Sequence, residues 1–274
     1  MVYLEEAGRQ EADALLVKGK IMKTTFGSFC GTLAAITLAA QPVAADHHEG
    51  MQFAANELML CAYKDGKDRD DLMDLTKAFN KWLKKNDANY TYYLLSPHYH
   101  EDASEMDFAW VGTWPDGAGM GAGYDAWMSD DDDVGQMFDD VMDCSMAMSP
   151  VTPVHTPDDG PWERGVVWFQ RCEREDGASL SDAVMAHKKA SMAMAEMGET
   201  SASWVFLPGL GFGDPDFDYY HVQAWPNYTE LGKGFDNYFN KGGWKAVSEA
   251  EGGVMECHSP NLYTFRMMHS AAND

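Results

Sequence analysis

The chain has 274 residues with 20 Lys or Arg against 44 Asp or Glu, a formal net charge of −24, and 12% of its residues are aromatic. A surface this acidic repels phosphate backbones and anionic headgroups, which argues against nucleic-acid and membrane partners. What remains is an acidic globular protein with a small-molecule ligand, or itself, as the expected partner.

Met22-Lys23 opens a short basic end, and residues 29–40, FCGTLAAITLAA, form a run of small and apolar side chains. Val43-Ala44-Ala45 then puts small residues where a signal peptidase looks, just before Asp46. This is the plan of a secretory signal peptide over 22–45, too short to span a bilayer. Residues 1–21 lie upstream and carry four acidic groups, so they read as a mis-assigned extension and Met22 as the true start. The expected mature chain begins at Asp46 and is periplasmic or secreted from a bacterium. Residues 1–45 hold four basic and four acidic groups, so the cut leaves the net charge at −24. Cys30 leaves with the signal. Cys61, Cys144, Cys172 and Cys257 remain, an even set in an exported chain, and disulfides are the default reading with three connectivities open.

The first element is a strand, ELMLCAY (57–63), ended by the turn Asp65-Gly66. Leu72, Leu75, Phe79 and Trp82 then recur at helical spacing, behind a capping-box pattern at Asp68 and Asp71. YTYYLLSP (90–97) is a second strand and DFAWVGTWP (107–115) a third. A glycine-interrupted helical region covers about 117–142, and a strand follows Cys144. The order then repeats. VVWFQRCER (166–174) leads to Asp176-Gly177 and a second capping-box pattern at Ser179 and Asp182. ASWVFLP (202–208), DYYHVQAWP (218–226), a helical region at 228–255 and NLYTFRMMH (261–269) complete it.

A shift of 111 superposes the two halves. Across residues 61–127 no gap is needed and 13 of 67 positions are identical, where chance at this composition supplies roughly four or five. Cys61/Cys172, Pro97/Pro208, Asp107/Asp218, Trp114-Pro115/Trp225-Pro226 and Gly123/Gly234 are among them; after a two-residue insertion Cys144 meets Cys257. The chain is a tandem duplication of a unit of about a hundred residues, the size of a small domain. The first repeat is placed at 46–154 and the second at 165–274. The proline- and glycine-rich segment 149–165 carries the linker, set at 155–164.

The order β-α-β-β-α-β, twice, is the ferredoxin-like arrangement. Two such units rich in aromatic residues resemble the dimeric α/β-barrel superfamily, fused in one chain as in chlorite-dismutase-like and dye-decolorising-peroxidase-like proteins. The resemblance covers most of residues 52–270 and rests on element order. It implies an α+β fold of two ferredoxin-like units packed sheet to sheet as a pseudo-dimer. It also implies the strand order 4-1-3-2, which makes strands 1 and 4 neighbours and pairs Cys61 with Cys144 and Cys172 with Cys257. Fused relatives bind haem, and His187, His221, His258 and His269 are the second repeat's candidates for an axial ligand, none of them marked by its surroundings.

The third strand carries the candidate ligand site. One face presents Phe108, Trp110, Gly112 and Trp114 in the first repeat and Tyr219, His221, Gln223 and Trp225 in the second. The second copy thereby sets polar groups into an aromatic lining, as a ligand pocket requires; a hydrogen-bonded core histidine is the plainer reading of His221. The candidate ligand-binding set is His221, Gln223, Trp225, Tyr219, Trp110 and Trp114, for a small apolar or aromatic ligand. Asp107 and Asp218 suit backbone hydrogen bonding better than general-base work.

Other constellations are weaker. His98, His100, Glu101, Asp102 and Glu105 cluster on SPHYHEDASEMD (96–107), but the second copy has none of these histidines, so no metal is assigned. Asp46-His47-His48 suits Cu(II) or Ni(II) at a free N-terminus. The methionines of 144–150 and 191–197 suit Cu(I), or, on the helix, core filling. The acidic run 130–133 lacks the spaced ligands of a calcium loop. No nucleophile elbow, phosphate loop, zinc helix or haem-attachment motif occurs. The sequence therefore identifies neither a cofactor nor catalytic residues. Its leading expectation is an exported, disulfide-stapled ligand-binding protein. The alternatives are a dimeric-α/β-barrel oxidoreductase, haem-dependent or cofactor-free and monooxygenase-like, and a structural, self-associating exterior protein.

Overall fold

A computed structural model of the chain describes residues 51–100, 106–129, 133–157 and 162–271. The expected signal segment, Asp46-His47-His48, Glu101, Asp102, Glu105 and residues 130–132 lie outside these. The first repeat runs β1 (Ala54–Tyr63), α1 (Arg69–Lys85), β2 (Thr91–Tyr99), β3 (Phe108–Trp114), α2 (Gly117–Ser129), α3 (Val134–Val141) and β4 (Met142–His155). The second runs β5 (Arg164–Arg174), α4 (Leu180–Glu196), β6 (Ala202–Phe206), β7 (Tyr219–Trp225), α5 (Tyr228–Phe235), a π-helical turn (Asp236–Asn240), α6 (Gly243–Glu251), β8 (Met255–Cys257) and β9 (Asn261–His269).

Local signals act alike in both copies. Asp68 caps α1 and Ser179 caps α4, each bonded to the N3 backbone while the N3 carboxylate, Asp71 or Asp182, accepts from the cap's own N–H. Each box contributes about 1 kcal/mol to starting its helix. The face of α1 carrying Leu72, Leu75, Phe79 and Trp82 is buried against the sheet, as its spacing predicts. The later helical region is two helices in each copy rather than one. Ser149–His155, at the start of the proline- and glycine-rich segment, is the second half of β4, with Pro150 opposite Ala55 and Pro153 opposite Trp204. The corresponding strand of the second copy is interrupted between β8 and β9, where Ser259-Pro260 intervenes and proline has no N–H to give a ladder.

All pairings are antiparallel. The first repeat orders its strands β4-β1-β3-β2, and the second places β8 and β9 end to end along one edge of β5, then β7, then β6. Both are the 4-1-3-2 order. The edges then join: β4 pairs with β6 and β2 with β9, closing an eight-stranded barrel. Closure removes the open edges that single four-stranded sheets would expose. Leu95, Ala109 and Val151 of one sheet meet Val167, Phe206, Val222 and Ala224 of the other across the interior. The helices cover the outside.

Strand adjacency places the cysteines. Cys61 lies directly opposite Cys144 and Cys172 directly opposite Cys257 in the ladders, each pair with 4.1 Å between Cα atoms, and both form disulfides. Asp107 and Asp218 also match: their Oδ2 atoms accept from the backbone N–H of Tyr63 and of Arg174, each at 2.7 Å, pinning the entry of β3 and β7 to the end of β1 and β5. Neither acid faces a cavity described below. No helix among the described residues is long and apolar enough to cross a membrane.

Candidate functional site

β7 is a central strand between β5 and β6, so its alternation separates two environments. Tyr220, Val222 and Ala224 point into the barrel, while Tyr219, His221, Gln223 and Trp225 point outward under the helices of the second repeat. Between that outer face and the helices lies a cavity of about 390 Å³. His221, Gln223 and Trp225 form its floor with Trp168 and Gln170 of β5. Ala190, Ser191 and Met194 of α4 close one side, and Leu231 and Phe235 of α5, Tyr238 and Phe239 of the π turn, and Glu251 of α6 close the other. Such π turns often mark functional places in helices.

The floor carries an ordered set of buried polar groups. Glu199, 8% exposed in the loop before β6, accepts from Gln223 Nε2 at 2.9 Å and from Trp225 Nε1 at 3.1 Å. Gln223 Nε2 also donates to Ser201 Oγ at 2.7 Å. Burial raises the Glu199 carboxyl, an effect opposed by its bonds from Ser201 and Trp225. Beside it, His221 stacks on His187 of α4 with 3.8 Å between ring centroids and planes 16° apart. His187 is fixed at both nitrogens, Nδ1 lying 2.8 Å from Glu251 Oε1 and Nε2 3.1 Å from Tyr219 Oη. Burial depresses both imidazoles, His187 to about 4, and holds His221 well below its ordinary value together with His187's proximity. Burial raises Glu251. His221 Nε2 and Trp168 Nε1 are buried with no hydrogen-bond partner among the described residues.

The six candidate residues therefore divide. His221, Gln223 and Trp225 share the second repeat's cavity. Tyr219 lies outside that lining and buttresses His187, its hydroxyl also 2.9 Å from Met255 Sδ. Trp110 and Trp114 line the corresponding space of the first repeat, a cavity of about 450 Å³. There the buried carboxylate is Glu57 of β1, which accepts from the hydroxyls of Tyr90 and Tyr124, while Trp110 Nε1 donates to Tyr90 Oη at 3.0 Å. A third cavity of about 460 Å³ opens at the barrel mouth by Leu58, Leu95, Phe169, Arg171 and Tyr220. Sequence reasoning missed Glu199, Glu251 and Trp168. Trp168 was findable, because it shares the strand parity of Cys172.

No protein-family model and no curated protein sequence matches the chain. Among solved structures it is similar to a provisionally named chlorite dismutase, at 10% identity over 81% of this chain and 97% of that one, TM-score 0.49. It is similar to a provisionally named monooxygenase from Lactobacillus acidophilus, at 14% identity over 80% and 95%, TM-score 0.48. A variant chlorite dismutase from Candidatus Nitrospira defluvii follows at 7% identity over 78% and 92%, TM-score 0.48. The architecture described above, a closed antiparallel barrel of two four-stranded halves, is what the chain has in common with them. The likeness is one of fold and carries no reaction with it.

Among the described residues the one grouping of donors suited to a metal ion is Cys172, His187 and Cys257, within 4.8 Å of one another. Both cysteines are in a disulfide, so neither offers a thiolate. His98, from the expected histidine cluster, packs on Tyr99 and Tyr228 instead. Of the helix methionines Met194 is buried and Met192 is 61% exposed.

Proposed function

We propose that this is an exported binding protein that holds a small, partly apolar or aromatic ligand between the sheet and the helices of its second repeat. The observation that carries the reading is the floor of that cavity, where Glu199, Gln223 and His221 are buried among Trp168, Trp225 and Phe235. An aromatic-walled concavity with a few fixed polar groups is the usual form of a small-ligand site. Export is supported by the small-residue run before Asp46 and by two disulfides, which persist in oxidising compartments.

Haem does not fit this cavity. A haem brings two carboxylates, and the lining has two glutamates and no Lys or Arg to meet them. His187, with both nitrogens engaged, does not line the cavity, and His221, which does, has that imidazole stacked on its face. No reaction is therefore routed through haem here.

The duplication supplies the test. The first repeat carries Phe79 at the position of Ala190, in the lining of its own cavity, so the fold accepts a phenyl ring there. Ala190→Phe should occlude the second cavity and leave the fold intact, as read by circular dichroism. Native mass spectrometry of protein purified from its source should then show a bound small molecule in the wild type and none in the variant. A ligand retained unchanged by the folded variant would exclude this cavity.

A further inference from the structure

The charge around the cavity has a single sign. Glu199 and Glu251 line it, and no Lys or Arg does. On the side formed by α5, the π turn and α6, Lys233 pairs with Glu230 at 2.7 Å, Lys241 donates to Asn237 Oδ1 at 2.9 Å, and Lys245 sits over the Trp244 ring. Trp168, Trp225, Phe235, Tyr238 and Phe239 surround the carboxylates. Aromatic faces carry negative potential and attract cations, most strongly when desolvated. His221 is 8% exposed and lines the same floor, with Nε2 lacking a partner. A neutral imidazole nitrogen there completes the polar set by accepting from an N–H donor.

We infer that the ligand class selected by this cavity is a small organic cation, an amine or ammonium joined to an aromatic or apolar body. The inference rests on the cavity reading above and adds the charge. An ammonium placed between Glu199 and the indole faces of Trp168 and Trp225 would answer the buried carboxylate and the aromatic potential together. A carboxylate ligand at the same place would meet like charge with no compensating cation. Burial already pushes Glu199 and Glu251 toward their neutral forms, a shift that a bound cation would reverse.

Three probes of one shape separate charge from shape: 2-phenylethylamine, 2-phenylethanol and 3-phenylpropanoate. Each is titrated into the full chain and followed by the indole N–H signals of Trp168 and Trp225 in NMR spectra. The amine should move both signals and bind about tenfold more tightly than the alcohol, with no saturable effect from the carboxylate. Glu199→Gln should cut the amine's advantage to under about threefold while sparing the alcohol; Glu251→Gln serves if that variant does not fold. Equal binding of all three, or preference for the carboxylate, would overturn the cationic class and leave the cavity reading standing. No probe moving either indole would overturn both.

Discussion

Gly112 and Tyr90 are fitted to one another: a Cβ on Gly112 would overlap the phenol end of Tyr90. The positions equivalent by the 111-residue shift are Gln223 and Ser201, where the glutamine side chain occupies the freed space and donates to the serine. The two repeats thus solved the same packing problem with opposite pairs, small strand residue under large neighbour and the reverse. Gly112→Ala should destabilise the protein by about 1–3 kcal/mol through overpacking. Tyr90→Ser should cost more on its own, because it opens a cavity and removes a donor to Glu57. Combined, the two should cost clearly less than their sum, and urea titrations of the four proteins measure that coupling. Strict additivity would refute the fit.

Much of this frame was legible because each signal is written twice. Capping boxes, Asp-Gly turns and the alternation of β3 and β7 depend on neighbours in sequence, and they place Trp110, His221, Gln223 and Trp225 on the right face. The cavity's remaining chemistry depends on distant packing. Glu199 comes from a loop with no periodicity, and Glu251 from the last turn of α6, a helix that starts after Gly242 in the left-handed region at φ 88°. His187 replaces Thr76 of the first repeat at a helix position that sequence alone reads as surface or core. Tyr219 shares strand parity with His221, yet it sits one pleat nearer the disulfide, beside Met255 rather than over the cavity. Ser149–His155 carries two prolines, which suit a linker in sequence, yet it forms the second half of a long strand that pairs with both repeats.

The two disulfides tie first to last strand within each repeat, at sequence separations of 83 and 85. Non-reducing peptide mapping should recover Cys61 linked to Cys144 and Cys172 linked to Cys257, with no other pairing. Replacing either pair by alanines should lower stability by roughly 3–5 kcal/mol, given loops of that length. Losing Cys172–Cys257 should also weaken ligand binding, since Cys257 lines the cavity and losing Cys61–Cys144 should not. Equal effects of both on binding would mean that the cavity responds only to global stability.

Asp107 and Asp218 hold backbone rather than substrate, so their loss should register in folding. Asp107→Asn and Asp218→Asn keep an acceptor and should each cost under about 1 kcal/mol, while the alanine variants should cost about 1–3 kcal/mol by leaving the Tyr63 or Arg174 N–H unmet. Ligand affinity should be unchanged in the folded fraction. A large fall in affinity with unaltered stability would reassign these acids to function.

The stacked imidazoles give the protein an acid dependence whose sign can be worked out. An unfolded histidine takes up its proton near 6.5, but His187 in the fold waits until about 4 and His221 is likewise held well below its ordinary value, because burial penalises the cation. Between those values the unfolded state binds more protons, so stability falls as pH drops from 6.5 toward 4, by roughly 3 kcal/mol for His187. Glu199 and Glu251 act in the opposite sense. Their raised carboxyls are protonated first in the folded state, so their contribution grows as pH falls through their folded values and blunts the histidine slope. Global unfolding therefore shows only the difference, and the individual rings must be followed. Two-dimensional proton–carbon spectra should show the His187 ring staying neutral down to about pH 4. A His187 ring that titrates at or above 6.5 would mean that Glu251 holds it as an imidazolium, and the neutral stack against His221 would then be the wrong description of the cavity floor.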